Sequence, residues 1–208
     1  MYILYGRQGS GSAVVEAVLE LAGADYRLET VPPGDGRLAP EAYRKLNPLG
    51  QVPTLVLPDG TVMTESVAIC IHLADCFPAL GLAPAIGTPA RAQYLRWFLY
   101  FAASLYASNM RTFYAERYTD DPAGGPMVKQ EAMARMGREW DIFAAALGNG
   151  PFILGDQMSM VDIYAAMLAS WSPDLPAFWA RHPAIKTMSD RVRHSSPAIA
   201  AVWALNDV

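Results

Sequence analysis

The sequence predicts an α/β domain followed by an all-helical domain. Over residues 1–77, short apolar runs alternate with helical patterns in the order strand, helix, strand and then strand, strand, helix. Residues 78–89 are rich in Pro, Gly and Ala, which is typical of a linker. Residues 90–208 contain long helical patterns and no convincing strand. We therefore expect two domains joined by that linker.

The first domain is predicted to contain a mixed sheet. Its expected elements are, in chain order, strand Tyr2–Tyr5, helix Ala13–Ala22, strand Tyr26–Val31, a short helix or turn at Glu41–Lys45, strands Gln51–Leu57 and Thr61–Met63, and helix Ser66–Cys76. The strand–helix–strand order implies a parallel pair, and Pro58-Asp59-Gly60 between two apolar runs indicates an antiparallel hairpin. This order, βαβ then ββα, is that of a thioredoxin-like domain, with a loop over residues 32–40.

The second domain is predicted to be a helical bundle. Its expected helices are Ala90–Tyr118, Pro126–Leu147, Ser159–Ser170, Ala177–Arg181 and Ala184–Arg193. Prolines separate or follow these segments at Pro173, Pro176, Pro183 and Pro197. Ser159 and Asp162 form a capping-box-like pattern at the start of one apolar helix, and we predict a structural role for them.

Composition and charge exclude several classes of protein. An apolar content of 52% and a charged content of 17% favour a sizeable core, and the net charge of −4 gives no reason to expect nucleic acid or an anionic membrane as a partner. We expect neither a membrane span nor a signal peptide, because no apolar run reaches about 18 residues and the N-terminus is not basic. Cys70 and Cys76 suit neither a disulfide framework nor a zinc site, and the histidines have no metal spacing. A cytoplasmic protein without a metal is expected.

Two separate segments resemble one known family. The first is Leu46-Asn47-Pro48-Leu49-Gly50-Gln51-Val52-Pro53-Thr54-Leu55, followed by Glu65-Ser66 and by Ala68–Asp75. The second runs from Phe152–Asp156 through Ser159–Asp162. Together they are similar to the cytosolic glutathione transferases, of a bacterial, beta- or theta-like type. The run before Thr54 looks most like the beta class.

The resemblance implies a glutathione site at Gln51, Val52, Pro53, Glu65 and Ser66. In the family the Val-Pro bond is cis and the backbone of the preceding residue pairs with the tripeptide, as in strand addition. Ser66 and the helix start would hold the γ-glutamyl carboxylate, and Glu65 would hold the ammonium. The residues by themselves leave two other interpretations open, an ordinary trans proline at an edge strand and a plain acidic helix start.

Three hydroxyl groups near the N-terminus are candidates for activating the glutathione thiol. A free thiol has a pKa of roughly 8.5, and a hydrogen-bond donor at a helix start favours the thiolate. Ser10 matches the family's catalytic turn and is the favoured candidate. Tyr5, at the end of the first strand, and Ser12, which looks more like the cap of the first helix, are the alternatives.

An electrophile site is expected on the aromatic helix after residue 96. Tyr106 and Met110 are its candidate residues, although Tyr106 fits helix packing equally well. Beta-class members have a His-Lys pair where this chain has Tyr106 and Ala107, so beta-type handling of the thiol is not implied.

The resemblance therefore implies a glutathione transferase that joins glutathione, as co-substrate, to a small apolar electrophile, as in detoxification. A homodimer is expected in which the first domain of one subunit faces the second domain of the other. One alternative is a non-catalytic glutathione-binding or protein-interaction module of the same fold. Another is a glutathione-dependent peroxidase or thiol reductase, which is disfavoured because residues 8–13 contain no cysteine.

Overall fold

A computed structural model describes residues 1–32 and 39–208 of the chain. The predicted loop over residues 32–40 therefore lies mostly outside the described residues. The chain divides into two compact units: residues 1–83 with 190–208, and residues 84–189. The predicted boundaries at residues 77 and 90 stay a prediction, and residues 190–208 pack with the first unit.

The first unit contains a four-stranded mixed sheet. Its strands are β1 (Tyr2–Gly6), β2 (Tyr26–Thr30), β3 (Thr54–Val56) and β4 (Val62–Met63), in the spatial order β2-β1-β3-β4. β1 is parallel to β2 and antiparallel to β3, and β3 forms a hairpin with β4. The predicted mixed sheet is confirmed, although β3 is shorter than the apolar run that predicted it.

Helix packing in the first unit is centred on one buried helix. The helices are α1 (Ala13–Leu21), α2 (Glu41–Arg44), α3 (Ser66–Cys76) and, from the end of the chain, α10 (Pro197–Asn206). α1 is buried from Ala13 to Leu19 because α3 and α10 both pack against it. Every residue over that stretch is therefore part of the core or supports it, including one acidic side chain, Glu16.

The second unit is a helical bundle with an aromatic core. Its helices are α4 (Pro89–Tyr100), α5 (Tyr106–Phe113), α6 (Gly125–Leu147), α7 (Met160–Ser170), α8 (Leu175–Arg181) and the first part of α9 (Pro183–His194). Phe101 is fully buried, lies 5.1 Å from Phe143 between ring centroids and stacks on Tyr164 at 6.0 Å. Among the described residues, no helix is long and apolar enough to cross a membrane.

The long helix predicted over Ala90–Tyr118 was wrong in its interior. The structure divides it into α4, a π-helical segment at Phe101–Leu105, and α5, followed by a short 3-10 helix at Ala115–Arg117. The Tyr106 N–H donates to the carbonyl of Phe101, five residues back. A π turn inserts one residue into a helix without changing its apolar character, so a 3.6-residue pattern does not detect it.

The sequence pattern does not predict α10, because a proline such as Pro197 indicates an interruption. Pro197 instead occupies the first turn of the helix, where a missing N–H costs nothing. Ser196 caps this start by accepting the N–H of Ala198 at 3.1 Å.

The start of α7 is fixed by a buried carboxylate, as its sequence pattern predicted. Asp162 is fully buried and accepts three hydrogen bonds of 2.8 Å, from the N–H and hydroxyl of Ser159 and from the N–H of Ile153. Burial raises the pKa of the Asp162 carboxyl, while these donors oppose the rise. The same side chain thus joins the helix start to the preceding loop.

We predict that Asp162→Ala lowers the free energy of unfolding by about 3 kcal/mol, because it leaves buried donors without an acceptor. The matched control is Asp156→Ala, an exposed residue in the loop before α7, which should change stability by less than about 0.5 kcal/mol. Chemical denaturation of both variants measures the difference. Equal effects in the two variants would contradict the assignment.

Candidate functional site

Strand pairing brings the predicted glutathione-binding residues to one edge of the first unit's sheet. Tyr5, near the end of β1, pairs with Thr54 at the start of β3. Leu55 pairs with Met63, and continuing that antiparallel register places Pro53 opposite Glu65. The turn after β1, the segment before β3 and the start of α3 therefore leave the sheet at the same edge.

A buried polar network holds the segment before β3. The Tyr43 hydroxyl and the Asn47 side-chain amide both donate to the carbonyl of Gln51, at 2.7 and 2.8 Å. Thr54, which is fully buried, lies 2.7 Å from the Tyr43 hydroxyl and accepts from Asn47 at 3.2 Å. Because the Tyr43 proton goes to Gln51, the Thr54 hydroxyl donates to the Tyr43 oxygen. Each hydroxyl then has both a donor role and an acceptor role.

The phenol of Tyr43 stays a donor over the neutral pH range. Burial raises its pKa above the ordinary value, and the hydrogen bonds from Thr54 and Asn47 and the charge of Arg7 only partly oppose this. A neutral phenol can donate to a carbonyl, whereas a phenolate cannot. The Gln51 carbonyl is therefore held by a stable donor.

The Val52–Pro53 peptide bond is cis, as predicted. Gln51 is exposed, Val52 is half-buried and Pro53 is buried. Val52 also packs against the small apolar cluster of Val31, Ala39 and Tyr43. The side chain of Val52 thus faces a fixed surface of the protein.

Glu65 adopts an unusual backbone conformation directly before α3. Its φ is 65°, a left-handed value that residues other than glycine rarely adopt, and its side chain is exposed. Its carbonyl accepts the N–H of Ile69 at 3.0 Å, while Ser66, half-buried, is the first residue of the helix. Strain of this kind costs roughly 1–3 kcal/mol and is found most often at functional sites. The sequence offered no sign of it.

The serine turn, residues 7–12, is tied together by its own hydroxyl groups. The Ser10 hydroxyl lies 2.6 Å from the carbonyl of Arg7, to which it donates, and 2.9 Å from the Ser12 hydroxyl. Ser10 is half-buried, whereas only 2% of Ser12 is exposed. A ligand therefore has more access to Ser10 than to Ser12.

Ser12 does not cap α1 with its side chain, and this corrects the interpretation made from the sequence. It precedes the helix but has helical backbone angles, and its hydroxyl accepts the N–H of Arg7 at 3.0 Å. The same hydroxyl is 3.1 Å from the Arg7 carbonyl. Ser12 thus closes the serine turn, and Gly6 makes room for it: a Cβ on Gly6 would lie 2.6 Å from the Ser12 oxygen.

Tyr5 lies in the sheet and packs on its neighbours. Its ring centroid is 5.8 Å from that of Tyr43, and it contacts the same apolar cluster as Val52. The other expected hydrophobic contacts lie in the second unit. Tyr106 and Met110 are half-buried and one turn apart on α5, and the Tyr106 ring meets the edge of Trp171 at 5.7 Å.

Two family models match separate parts of the chain. Residues 12–76 match the N-terminal domain model of glutathione S-transferase, and residues 100–195 match the C-terminal domain model. The chain is 30% identical over 193 residues, 92% of each chain, to the uncharacterized GST-like protein YncG of Escherichia coli strain K12. The chain belongs to the glutathione S-transferase family. It is also 28% identical over 170 residues, 81% of each chain, to glutathione S-transferase GstA of Escherichia coli O157:H7.

A solved structure extends this relationship to the whole chain. A glutathione transferase homolog from Sulfitobacter, with bound glutathione, is 25% identical with a TM-score of 0.85, over 98% of this chain and 97% of that one. The predicted family and fold class are therefore confirmed. In this family member, no group of three or more His, Cys, Asp and Glu side chains within residues 1–32 and 39–208 could hold a metal ion.

The sequence analysis did not identify the buried residues that hold the segments of the candidate site in place. Tyr43 and Asn47 hold the Gln51 carbonyl, Thr54 binds both of these side chains, and Arg7 donates from its side chain to the carbonyl of Val31 at 3.0 Å. A polar residue inside an apolar run, such as Thr54 before Leu55, is a usable signal for such support. No local pattern identifies the partners.

We predict that Gly6→Ala lowers the free energy of unfolding by roughly 1–3 kcal/mol, because the new methyl group would overlap the Ser12 hydroxyl. Gly137→Ala in α6 is the matched control, since a Cβ there meets nothing within 4 Å. That change should stabilise the protein by about 0.5–1 kcal/mol through its helix propensity. Thermal unfolding of both variants gives opposite shifts if the contact at Gly6 is as close as described.

Proposed function

We propose that this protein is a glutathione transferase that binds glutathione at the sheet edge and activates its thiol for attack on an apolar electrophile. One observation supports the proposal most strongly: the Val52–Pro53 segment, the Glu65–Ser66 helix start and the serine turn meet at one edge of one sheet. The Sulfitobacter homolog contains bound glutathione, which supports glutathione as the ligand.

Each part of glutathione has a chemical counterpart at this edge. The Val52 backbone would pair with the cysteinyl residue, as an added strand does. The first N–H groups of α3, with Ser66, would donate to the γ-glutamyl carboxylate, because a helix N-terminus favours an anion. The exposed carboxylate of Glu65 would pair with the γ-glutamyl ammonium. Gln51 would lie beside the backbone of the cysteinyl residue of glutathione.

Ser10 is the residue that we propose to hold the thiolate. Its hydroxyl now donates to the Arg7 carbonyl, but the Ser12 hydroxyl lies 3.1 Å from that same carbonyl. Ser10 can therefore turn its proton to the sulfur while Ser12 keeps the carbonyl satisfied. A charge-assisted hydrogen bond of this kind favours the thiolate over the thiol.

The proposed reaction is a substitution. The thiol proton leaves to solvent, the sulfur electron pair forms a bond to the electrophilic carbon, and the leaving group departs with the electron pair of the broken bond. Tyr106 and Met110 stay the predicted contacts of the electrophile. A homodimer also stays a prediction from the family resemblance, which light scattering can check.

We predict that Ser10→Ala slows turnover with an aryl halide about ten- to hundred-fold at pH 7, because a hydrogen bond to a charged group contributes roughly 1.5–3 kcal/mol. Loss of the donor raises the pKa of the bound thiol by about 1–2 units, so the variant should regain rate at higher pH. Steady-state kinetics against pH measures both effects, and glutathione affinity should change little.

Tyr5→Phe is the control and should be nearly silent in the same assay. If it abolishes turnover while Ser10→Ala does not, the activating residue is Tyr5. If the parent protein binds glutathione but turns over none of several electrophiles, the non-catalytic binding module is the better interpretation.

We also predict that Tyr43→Phe weakens glutathione binding about fivefold, because it removes one donor, worth about 1 kcal/mol, from the Gln51 carbonyl beside Val52. Tyr26→Phe removes a hydroxyl from the opposite end of the sheet, where it donates to Glu20 at 2.6 Å. Titration calorimetry should show a weaker complex for the first variant alone. Equal affinities for both would contradict the support role of Tyr43.

A further inference from the structure

The turn that carries Ser10 is held from the far end of the chain. The N–H of Gly9 donates to the side-chain oxygen of Asn206, the last residue of α10, at 3.2 Å. The Asn206 amide nitrogen donates to the Val202 carbonyl at 3.0 Å and to a carboxylate oxygen of Glu16 at 3.3 Å. These residues all belong to the first unit.

These contacts permit only one orientation of the Asn206 amide. A backbone N–H can only donate and a backbone carbonyl can only accept, so Gly9 requires the oxygen of Asn206 and Val202 requires its nitrogen. Asn206 is 5% exposed and Glu16 is 8% exposed, so water competes little with this arrangement. The amide therefore acts as a fixed link between α1, α10 and the serine turn.

We propose that Asn206 is a positioning residue for the glutathione-activating turn, and that Glu16 fixes the Asn206 amide toward Gly9. This inference rests on the proposed function of Ser10. Gly9 precedes Ser10 and has a φ of +66°, and the bond to its N–H fixes the Gln8–Gly9 peptide plane directly before the serine. A displacement of about 1 Å in a reacting group can reduce a rate by about a hundredfold.

The burial of Glu16 supports a specific role for it. Burial raises the pKa of its carboxyl, Glu20 adds to the rise, and the hydrogen bond from Asn206 opposes it. A buried acidic side chain on a core helix costs stability unless it is paired. The pairing with Asn206 gives the acid a function that a leucine at the same position could not provide.

An exchange of the two side-chain types tests the proposal. Asn206→Asp keeps the acceptor for Gly9 but brings a carboxylate oxygen against both Glu16 and the Val202 carbonyl, so we expect kcat to fall about tenfold. Glu16→Gln combined with Asn206→Asp restores a donor and an acceptor between these two side chains but not the donor to Val202, so kcat should recover incompletely, to within about threefold of the parent. Glu16→Gln alone completes the cycle and should have a smaller effect than Asn206→Asp, because its amide oxygen can still accept from Asn206. Ala204→Asp adds the same charge on the exposed side of α10 and should leave kcat unchanged.

Two readouts separate positioning from general stability. The pKa of the thiol in bound glutathione, followed by thiolate absorbance, should rise in Asn206→Asp and return in the double variant at a temperature where both are folded. Exchange of the Gly9 amide hydrogen, followed by NMR without ligand, should accelerate in Asn206→Ala. A thiol pKa that stays at the parent value in Asn206→Asp, or a kcat loss that the double variant does not recover, would overturn the proposal.

The amide exchange does not depend on turnover. A parent protein that turns over no electrophile would therefore count against the proposed function alone. Slow Gly9 exchange in the parent and unchanged exchange in Asn206→Ala would count against the Asn206 contact alone.

Discussion

The candidate site depends on the pairing of β1 with a neighbour on each side. β2 lies parallel to it and β3 antiparallel, so the end of β1 and the start of β3 lie at the same edge. The hairpin then returns β4 to that edge, where α3 begins. A one-residue change of register would turn Leu4 and Leu55, both fully buried, out of the core. The core therefore fixes the register, and the register brings the site segments together.

Buried polar side chains fix the backbone conformation of the segment before β3. A loop such as residues 47–53 contains backbone groups that need partners, and those that face inward cannot use water. Tyr43 and Asn47 provide the partners from buried positions, with 8% and 3% of their surfaces exposed, and the buried Thr54 binds both of these side chains. Because the network uses the carbonyl of Gln51, the next residue is held firmly. A ligand that binds mainly to backbone atoms of the protein needs such support, since few side chains can move to fit the ligand.

Local sequence patterns predicted most elements and the family, and they failed where the determining contact is distant. α3 has the predicted bounds, Ser66–Cys76, because its apolar period and its start were both visible. The helical pattern at residues 90–118 was also correct in kind, but it did not detect one inserted residue. The local pattern predicts that Ser12 caps the helix, because serine is common at that position, whereas its partner is Arg7, five residues earlier.

The contact of Asn206 with Glu16 illustrates the limit most clearly, because 190 residues separate the two in the chain. Nothing in the residues near Asn206 shows that α10 packs on α1, and α10 itself was missed because of Pro197. Only tertiary structure shows that a buried acid, a buried amide and a glycine N–H form one chain of hydrogen bonds. These hydrogen bonds fix the positions of the residues that they join, because each N–H and each oxygen in the chain serves only as a donor or only as an acceptor. The serine turn is thereby fixed internally by Ser12 and Arg7 and externally by Asn206, and both sets of contacts limit the movement of Ser10.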